Sequence, residues 1–493
     1  MLPPGMVRLK GQSGSVEGGP ISGSDFLQLR AEDAPAKGLT AWLTAGLRDA
    51  IAGRRLASGA RLPATRVLAA DLKISRGVVV EAYQRLIDEG LATGRTGDGT
   101  RVTDISGKSE MPHDRRRALD ELRLPFPPPP GIDIDLSPGV PDLSAFPRVQ
   151  WLKAEKSVLD EITGSDLGYG DPGGTPKLRA ELIAWLRRTR GVRAEADDII
   201  VVSGVAQALA LLAQTLRQDG VTAAAVEDPG SRGATDQMAH WGVRPEPVPV
   251  DEQGIQVDLI TQDAALLTPA HQFPTGVVLS PARRRALLDR GGLIIEDDYD
   301  AEHRYDRAPV AALQGSAPER VAYAGSVSKS LAPGMRLGWL IAPRRLQPAL
   351  LEAKHGSDLG NPALPQLVLA RLLASGDYER HLRLVRSRQR RRRDALLAGL
   401  ERHLPRARVT GVAAGLHLLI ILDTGEDDTA LAARAAAHGV LVHPLSWHRQ
   451  RPGPPGLVLG YAAQPPDRLT EAAQRLGTAL TPPSRNRSGA PSS

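Results

Sequence analysis

The chain has 493 residues, 62 Lys+Arg against 56 Asp+Glu, and no cysteine. Lack of cysteine excludes disulfides, thiolate zinc sites, iron–sulfur clusters and a cysteine nucleophile, and a net charge of only +6 points to local basic patches rather than a polycation. No run of 18 apolar residues exists and residues 1–20 have no apolar core, so no membrane span and no signal peptide are expected, and a cytoplasmic setting fits.

Residues 1–37 are Gly- and Ser-rich, without hydrophobic period, and read as a disordered extension. Leu39, Trp42, Leu43, Leu47, Ala50 and Ile51 then recur at helical spacing, predicting a helix over 39–54. Pro63 opens a second predicted helix, 63–73, with Val67, Leu68 and Leu72 inward. Ser75 caps a third, Arg76–Glu89, whose apolar stripe is Val79, Ala82, Tyr83, Leu86 and Ile87, and Gly90 stops it. Leu91–Thr93, a turn through Gly97 and Gly99, and Arg101–Thr103 predict a two-stranded wing. Helix, tight turn, helix and wing make a DNA-reading shape. Arg66, Ser75, Arg76 and Arg85 would face the duplex, with Gly97, Gly99 and Thr100 bringing wing backbone to a phosphate. A small helical unit that contacts protein is the alternative.

Residues 105–133 contain Arg115–Arg117 and Pro127–Pro130 and read as a semi-rigid linker between a unit at 38–104 and a larger one at 134–482. In the larger unit, Ile199–Val202, Ala223–Val226, Ala264–Leu267, Leu293–Ile295 and Leu416–Leu422 read as buried strands. Pro176–Arg190, Ala206–Leu216 and Pro281–Arg290 read as intervening helices. That alternation predicts an α/β fold with a largely parallel sheet. Residues 483–493 read as a disordered tail.

The chain holds nine lysines against 53 arginines, so a lysine position carries information. Lys329 follows the apolar segment Val321–Ala324 in AGSVSKSLAPGMRLGW, with Arg336 seven residues on. In a dry pocket beside other positive groups such an amine has a lowered pKa and can form a Schiff base. Three neighbouring features favour this over a surface lysine. In LIIEDDYDAEHRYD (293–306) a strand ends in Glu296, Asp297 and Asp298, then Tyr299. A carboxylate there can keep a pyridine nitrogen protonated and a phenol can bond a ring hydroxyl, although an acidic strand end can also hold Mg²⁺. In IIVVSGVAQALALLAQTL (199–216) a strand enters Ser203–Gly204 and a helix start able to grip phosphate. In LTPAHQFPTGVVLS (267–280) a strand ends in His271 and Gln272. No metal site is expected.

The stretches RLASGARLPATRVLAADLKISRGVVVEAYQRLIDEGL and GRTGDGTRV resemble the GntR-type winged helix, with Glu81 where relatives often carry a basic residue. The four pieces of the larger unit, with YGDPGGTPKLRAELIAWL from Tyr169, resemble fold-type I aminotransferases. That resemblance implies a mostly parallel α/β domain with a smaller C-terminal α+β subdomain, a homodimer and pyridoxal phosphate. It implies that Lys329 carries the Schiff base, Asp297 pairs with the pyridine nitrogen and Tyr299 with the 3-hydroxyl. Ser203, Gly204, Ser326 and Arg336 would form the phosphate cup, His271 would lie near the ring, and Tyr169 would reach the partner subunit's phosphate. Together with EDPGSRGA at 227–234, the two halves resemble the MocR-type regulators, which bind promoter DNA. Ser231 stands where those regulators usually have tyrosine, and Val205 replaces a hydroxyl residue. Aminotransferases place a carboxylate-binding arginine in a C-terminal strand, and GLVLGYAA at 456–463 has none, leaving Arg232, Arg449 and Arg451 as substitutes.

Eight arginines lie between Tyr378 and Asp394, and form either a solvated helix face or an auxiliary DNA contact through Arg390–Arg393. The readings carried forward are a pyridoxal phosphate-dependent regulator with an amino-acid or amine effector, an active aminotransferase with an accessory DNA-binding domain, and a scaffold with a dead cofactor site.

Overall fold

A computed structural model describes residues 35, 37–53, 55–95, 99–103, 131–305, 310–411 and 413–480. Gly97, the linker as far as residue 130, the predicted extension apart from residues 35 and 37, and the tail from 483 lie outside the described residues. The described residues fall into two compact units, one on each side of the linker.

In the first unit, α1 (Leu39–Ala52), α2 (Thr65–Asp71) and α3 (Arg76–Asp88) precede the hairpin β1 (Ala92–Arg95) and β2 (Gly99–Val102). The predicted helical stripes become one core in which Leu43, Leu47, Leu68, Val79 and Leu86 are fully buried. Ser75 caps α3 by accepting the Val78 N–H at 3.4 Å. Two expectations are corrected. Pro63 lies outside α2, because its carbonyl accepts Tyr83 Oη at 2.9 Å and the extended Ala64 separates it from the helix start. Val67 points outward and is 46% exposed, since Leu68 already fills the core side of this seven-residue helix.

The second unit is built on an eight-stranded sheet. After a short β3 (Ile134–Asp135) come β4 (Ile199–Val202), β5 (Ala223–Asp228), β6 (Arg244–Asp251), β7 (Gly254–Ile255), β8 (Ala264–Leu267), β9 (Leu293–Asp298), β10 (Val321–Ser326) and β11 (Gly338–Ile341). Their order is β4-β11-β10-β9-β8-β5-β6-β7. The central strands run parallel, whereas β11 is antiparallel to both β10 and β4, and β7 to β6. Strands β4 and β8–β11 are buried on both faces, which is why they read as continuous apolar runs. Helices Arg148–Glu161, Pro176–Arg190 and Ala363–Ala374 cover one face, with Trp185 edge-on to Trp339 and Tyr378. Helices Val205–Gln218, Arg232–His240 and Gln347–Asp358 cover the other.

A smaller antiparallel sheet uses β12 (Arg408–Thr410), β13 (His417–Ile421), β15 (His443–Pro444) and β16 (Gly456–Gly460), in the order β12-β13-β16-β15, while β14 (Val440–Leu441) pairs in parallel with β3. Helices Asp377–His403, Asp428–Ala437 and Pro466–Leu480 complete this part. Among the described residues no helix is long and apolar enough to cross a membrane.

Candidate functional site

In the first unit, Arg61, Arg66, Arg76, Gly99 and Thr100 border one cleft. Arg76 Nε donates to Thr65 Oγ1 at 3.3 Å. Gly99 has φ +79°, and a Cβ there would meet Arg61 Nε at 3.1 Å, so glycine lets the wing pass this side chain. Arg61 was absent from the sequence-derived set, because its role depends on a strand 38 positions away in the chain. Arg85 lies at the surface, 2.6 Å from Glu81 on the same helix.

In the second unit, strand ends deliver the site. β4 leads into Ser203–Gly204, β9 into Tyr299, and β10 ends at Ser326. A cavity of ≈ 450 Å³ is lined by Gly139, Gly204, Asp297, Tyr299, Lys329 and Arg336, among others. Ser326, Ser328, Val205 and Ser231 also border it.

Lys329 Nζ donates to the Gly139 carbonyl at 2.6 Å. Burial lowers its pKa, and Asp300 and Asp297 oppose that shift. The expected positive neighbours are thus corrected: the charges that act on this amine are carboxylates, and desolvation alone depresses it.

Asp297 is buried, and its Oδ1 has no hydrogen-bond partner. Burial, then Asp298 and Asp300, push its carboxyl up to about 7, with Lys329 opposing. The adjacent Asp298 is held by Arg190 Nε at 2.7 Å and by the Tyr323 hydroxyl at 2.5 Å. This buried pair fixes the end of β9 from behind.

Tyr299 Oη lies 3.1 Å from His271 Nδ1, which is also 2.8 Å from Asp300 Oδ2. Burial, then Asp300 and Asp297, hold the phenol well above its ordinary pKa. His271 therefore supports Tyr299 from outside the cavity wall. Gly415 lies against it: a Cβ there would fall 2.0 Å from His271 Cε1.

The helix Val205–Gln218 starts at Gly204, φ +95°; Gln207 and Ala208 N–H donate to the Gly204 carbonyl at 3.1 and 3.3 Å, which leaves the N–H groups of Val205 and Ala206 at the helix start. Ser203 N–H donates to Gln207 Oε1 at 2.7 Å, and Ser203 Oγ accepts from Asn361 Nδ2 at 2.9 Å. Arg336 donates to the Ser203 carbonyl, which sets its guanidinium against Gly204. A helix N-terminus beside an arginine is an anion site.

Tyr169 is 93% exposed and does not border this cavity. Arg449 and Arg451 line a different cleft, and Arg232 lies 3.5 Å from Asp236. β16 is buried and carries no arginine. Sequence reasoning missed Gly139, Ser328, Asp300 and Asn361. The Pro-Gly turn at 138–139 was a local signal for the first, whereas Asn361 has no local signal at all.

The description "Aminotransferase class I and II" matches residues 132–476, and "Bacterial regulatory proteins, gntR family" matches residues 40–102. The chain is 31% identical to the probable rhizopine catabolism regulatory protein MocR of Rhizobium meliloti, over 88% of this chain and 92% of that one. It is 32% identical to the HTH-type pyridoxine biosynthesis transcriptional regulator PdxR of Corynebacterium glutamicum, over 89% and 95%. Among solved structures, it resembles a Pyrococcus horikoshii kynurenine aminotransferase with TM-score 0.66 and 25% identity, over 75% of this chain and 94% of that one. It also resembles the α-aminoadipate aminotransferase LysN of Thermus thermophilus, complexed with N-(5'-phosphopyridoxyl)-L-leucine, with TM-score 0.64 and 28% identity, over 71% and 92%.

The cofactor of this fold is pyridoxal phosphate, and the cavity fits it. A desolvated amine, a partnerless buried carboxylate oxygen and a helix N-terminus with an arginine meet around one space. The chain belongs to the MocR-type branch of the GntR transcriptional regulators, in which a winged helix and a pyridoxal phosphate-dependent aminotransferase fold share one polypeptide.

Proposed function

We propose that this is a cytoplasmic, homodimeric transcription regulator whose first unit reads promoter DNA and whose second unit senses an amine or amino acid through pyridoxal phosphate. The observation that carries the reading is that Lys329 and Asp297, whose Oδ1 has no hydrogen-bond partner, line one cavity, on a chain with a GntR-type unit. Bound, the cofactor supplies an aldehyde that captures primary amines and a ring that withdraws electrons from them. Lys329 offers the amine that tethers it. Asp297 holds a proton at the ring nitrogen, and Tyr299, backed by His271, bonds the ring hydroxyl. Gly204, Ser203, Ser326 and Arg336 hold the phosphate. Arg66, Ser75, Arg76, Gly99 and Thr100, joined by Arg61, contact DNA.

The homodimer is supported by apolar side chains that this chain leaves in solvent: Val149, Leu152 and Leu159 on the helix Arg148–Glu161, with Leu167 and Tyr169 beyond it. Tyr169 then serves the partner's phosphate site. Two winged helices read two half-sites.

Borohydride reduction of the protein loaded with pyridoxal phosphate, followed by peptide mass mapping, tests the site. The expected adduct is on Lys329 and is absent from Lys329→Ala. An adduct spread over other lysines, or none, overturns the assignment. Selection of bound fragments from genomic DNA tests the first unit.

An active aminotransferase is the second reading, supported by Lys329, Asp297 and Tyr299 lining one cavity. The absence of an arginine from β16 ranks it below the regulator. Steady turnover above about 1 s⁻¹ with any amino acid and keto acid reverses that order.

A further inference from the structure

The second unit contains another cleft, of ≈ 640 Å³, which shares no lining residue with the cofactor cavity. It lies between the β6–β7 edge of the large sheet and the face of the small sheet that carries Leu419 and Ile421. Its size and its pattern, an apolar wall with a few converging polar groups, are those of small-molecule sites.

The apolar wall is Val250, Val277, Leu419 and Ile421. Arg449, Arg451 and Arg408, the cross-strand partner of Ile421, also line the cleft. Among the described residues, none of these three has a carboxylate within ion-pair distance. Arg449 donates to the Pro454 carbonyl at 2.8 Å and Arg451 to the Pro247 carbonyl at 2.7 Å. Burial lowers the pKa of Arg449, and the charges of Asp428 and Asp228 oppose that shift without forming an ion pair with it. Its side chain rests on Gly453, where a Cβ would lie 2.3 Å from Nη1.

The acidic residues of the cleft do not supply the missing anion. The Asp228 carboxylate accepts the N–H groups of Gln450 at 2.8 Å and Arg451 at 3.2 Å. Asp251 is held by Arg283 Nη2 at 2.6 Å. Glu252 is the remaining acidic lining residue, so three guanidinia face this cleft with no carboxylate in ion-pair contact among the described residues. Guanidinium N–H groups with no anionic partner match a planar carboxylate, which they can bind in a bidentate fashion.

We propose that this cleft is a second ligand site, which takes an organic carboxylate with an apolar alkyl or aryl body. Arg449 and Arg451 hold the carboxylate, and the body lies on Leu419 and Ile421. The site adjoins the cofactor cavity through one loop: Asp228 and Pro229 line the cleft, and Ser231 lines the cavity. Gln272 Nε2 grips the Pro229 carbonyl of that loop at 2.8 Å, and Gly230 N–H donates to the His448 carbonyl at 2.7 Å. The inference does not depend on how the cofactor cavity is used.

Isothermal titration of the full chain, loaded with pyridoxal phosphate, tests it with 4-phenylbutyrate, octanoate and 4-phenylbutyramide. At least one carboxylate is expected to bind with Kd below about 1 mM, and the uncharged amide at least about tenfold more weakly. Arg449→Gln with Arg451→Gln is expected to weaken the carboxylate at least about tenfold. Val409→Glu, which places an anion at the rim without touching the arginines, is expected to block it in a chain whose fold is checked by circular dichroism. Lys329→Ala is expected to bind the carboxylate like the wild type. The proposal is overturned if neither carboxylate binds, if the amide binds equally well, if Val409→Glu has no effect, or if Lys329→Ala abolishes binding and so places the ligand in the cofactor cavity.

Discussion

Asn361 donates from Nδ2 to Ser203 Oγ at 2.9 Å, and its own Oδ1 is held by Lys354 Nζ at 2.8 Å. Lys354 is fully buried and also bonds Asp358, which accepts Gln207 Nε2 at 2.7 Å, while Gln207 accepts the Ser203 N–H. The phosphate turn is thus braced from two sides by one ammonium group. Beyond Lys177 the chain has two lysines, Lys329 and Lys354, and the second supports the turn that the first faces.

Lys354→Met removes the ammonium group and keeps an unbranched side chain one atom shorter. It is expected to weaken pyridoxal phosphate about tenfold, or 1.4 kcal/mol, and to leave pyridoxal, which lacks the phosphate, unchanged. Equilibrium absorbance titrations with both compounds check this. An equal loss for both would mean a general packing defect.

Asp297 gives a pH prediction. Its carboxyl is pushed up to about 7 from an ordinary 3.8. Between those values the folded chain keeps a proton that the unfolded chain has released. The associated stability is present at low pH and is lost as pH rises through about 7. Asp297→Asn removes the titration. Without cofactor, its unfolding free energy relative to wild type should therefore climb from pH 5 to about pH 7, by up to about 1.4 kcal/mol per pH unit, and level off above that. A difference that is flat with pH would contradict the buried, partnerless state of this group.

Arg61, Arg66 and Arg76 share one cleft with the wing, whereas Arg85 is engaged by Glu81. Alanine at each of the first three should reduce the slope of log affinity against log salt by about 1. Alanine at Arg85 should change it less. Fluorescence anisotropy on a selected DNA fragment, at several salt concentrations, measures these slopes.

The Arg390–Arg393 run divides into two kinds of residue. Arg390 and Arg391 are exposed, but Arg392 is buried, 2.9 Å from Asp142 and donating to the Ala462 carbonyl. Arg392→Ala leaves Asp142 with Arg388 as its remaining charged partner and should cost about 2 kcal/mol, read as a lower denaturant midpoint. Arg390→Gln with Arg391→Gln should leave stability unchanged. A flatter salt slope for that pair would support a DNA contact, and an unchanged slope a solvated face.

Much of this was legible because the chemistry lies where periodicity breaks. Lys329, Asp297, Tyr299 and Ser203 each end an apolar run, and a polar group at the end of a buried strand is visible in one dimension. The helix Pro176–Arg190 and the strand Ala264–Leu267 have the bounds their patterns predict. What escaped are residues whose meaning is a long-range pairing. Asn361 sits in an unremarkable loop, and nothing near Arg61 announces Gly99. Val67 was misplaced because a short helix has two apolar neighbours for one inward position. The Arg-rich run misled for a different reason: Arg392 is buried against Asp142, which comes from another segment.

Strand β4 lies at the edge of the large sheet, and its one sheet neighbour is β11, with Gly338 opposite Val202. During synthesis the phosphate turn therefore leaves the ribosome long before the strand that docks it. Lys329 also emerges before Gly338. A nascent chain that already carries its amine and its acidic strand end still has no anchored turn to receive a phosphate. A chain interrupted between Lys329 and Gly338 holds the reactive residues but lacks the strand against which the Ser203–Gly204 turn is anchored.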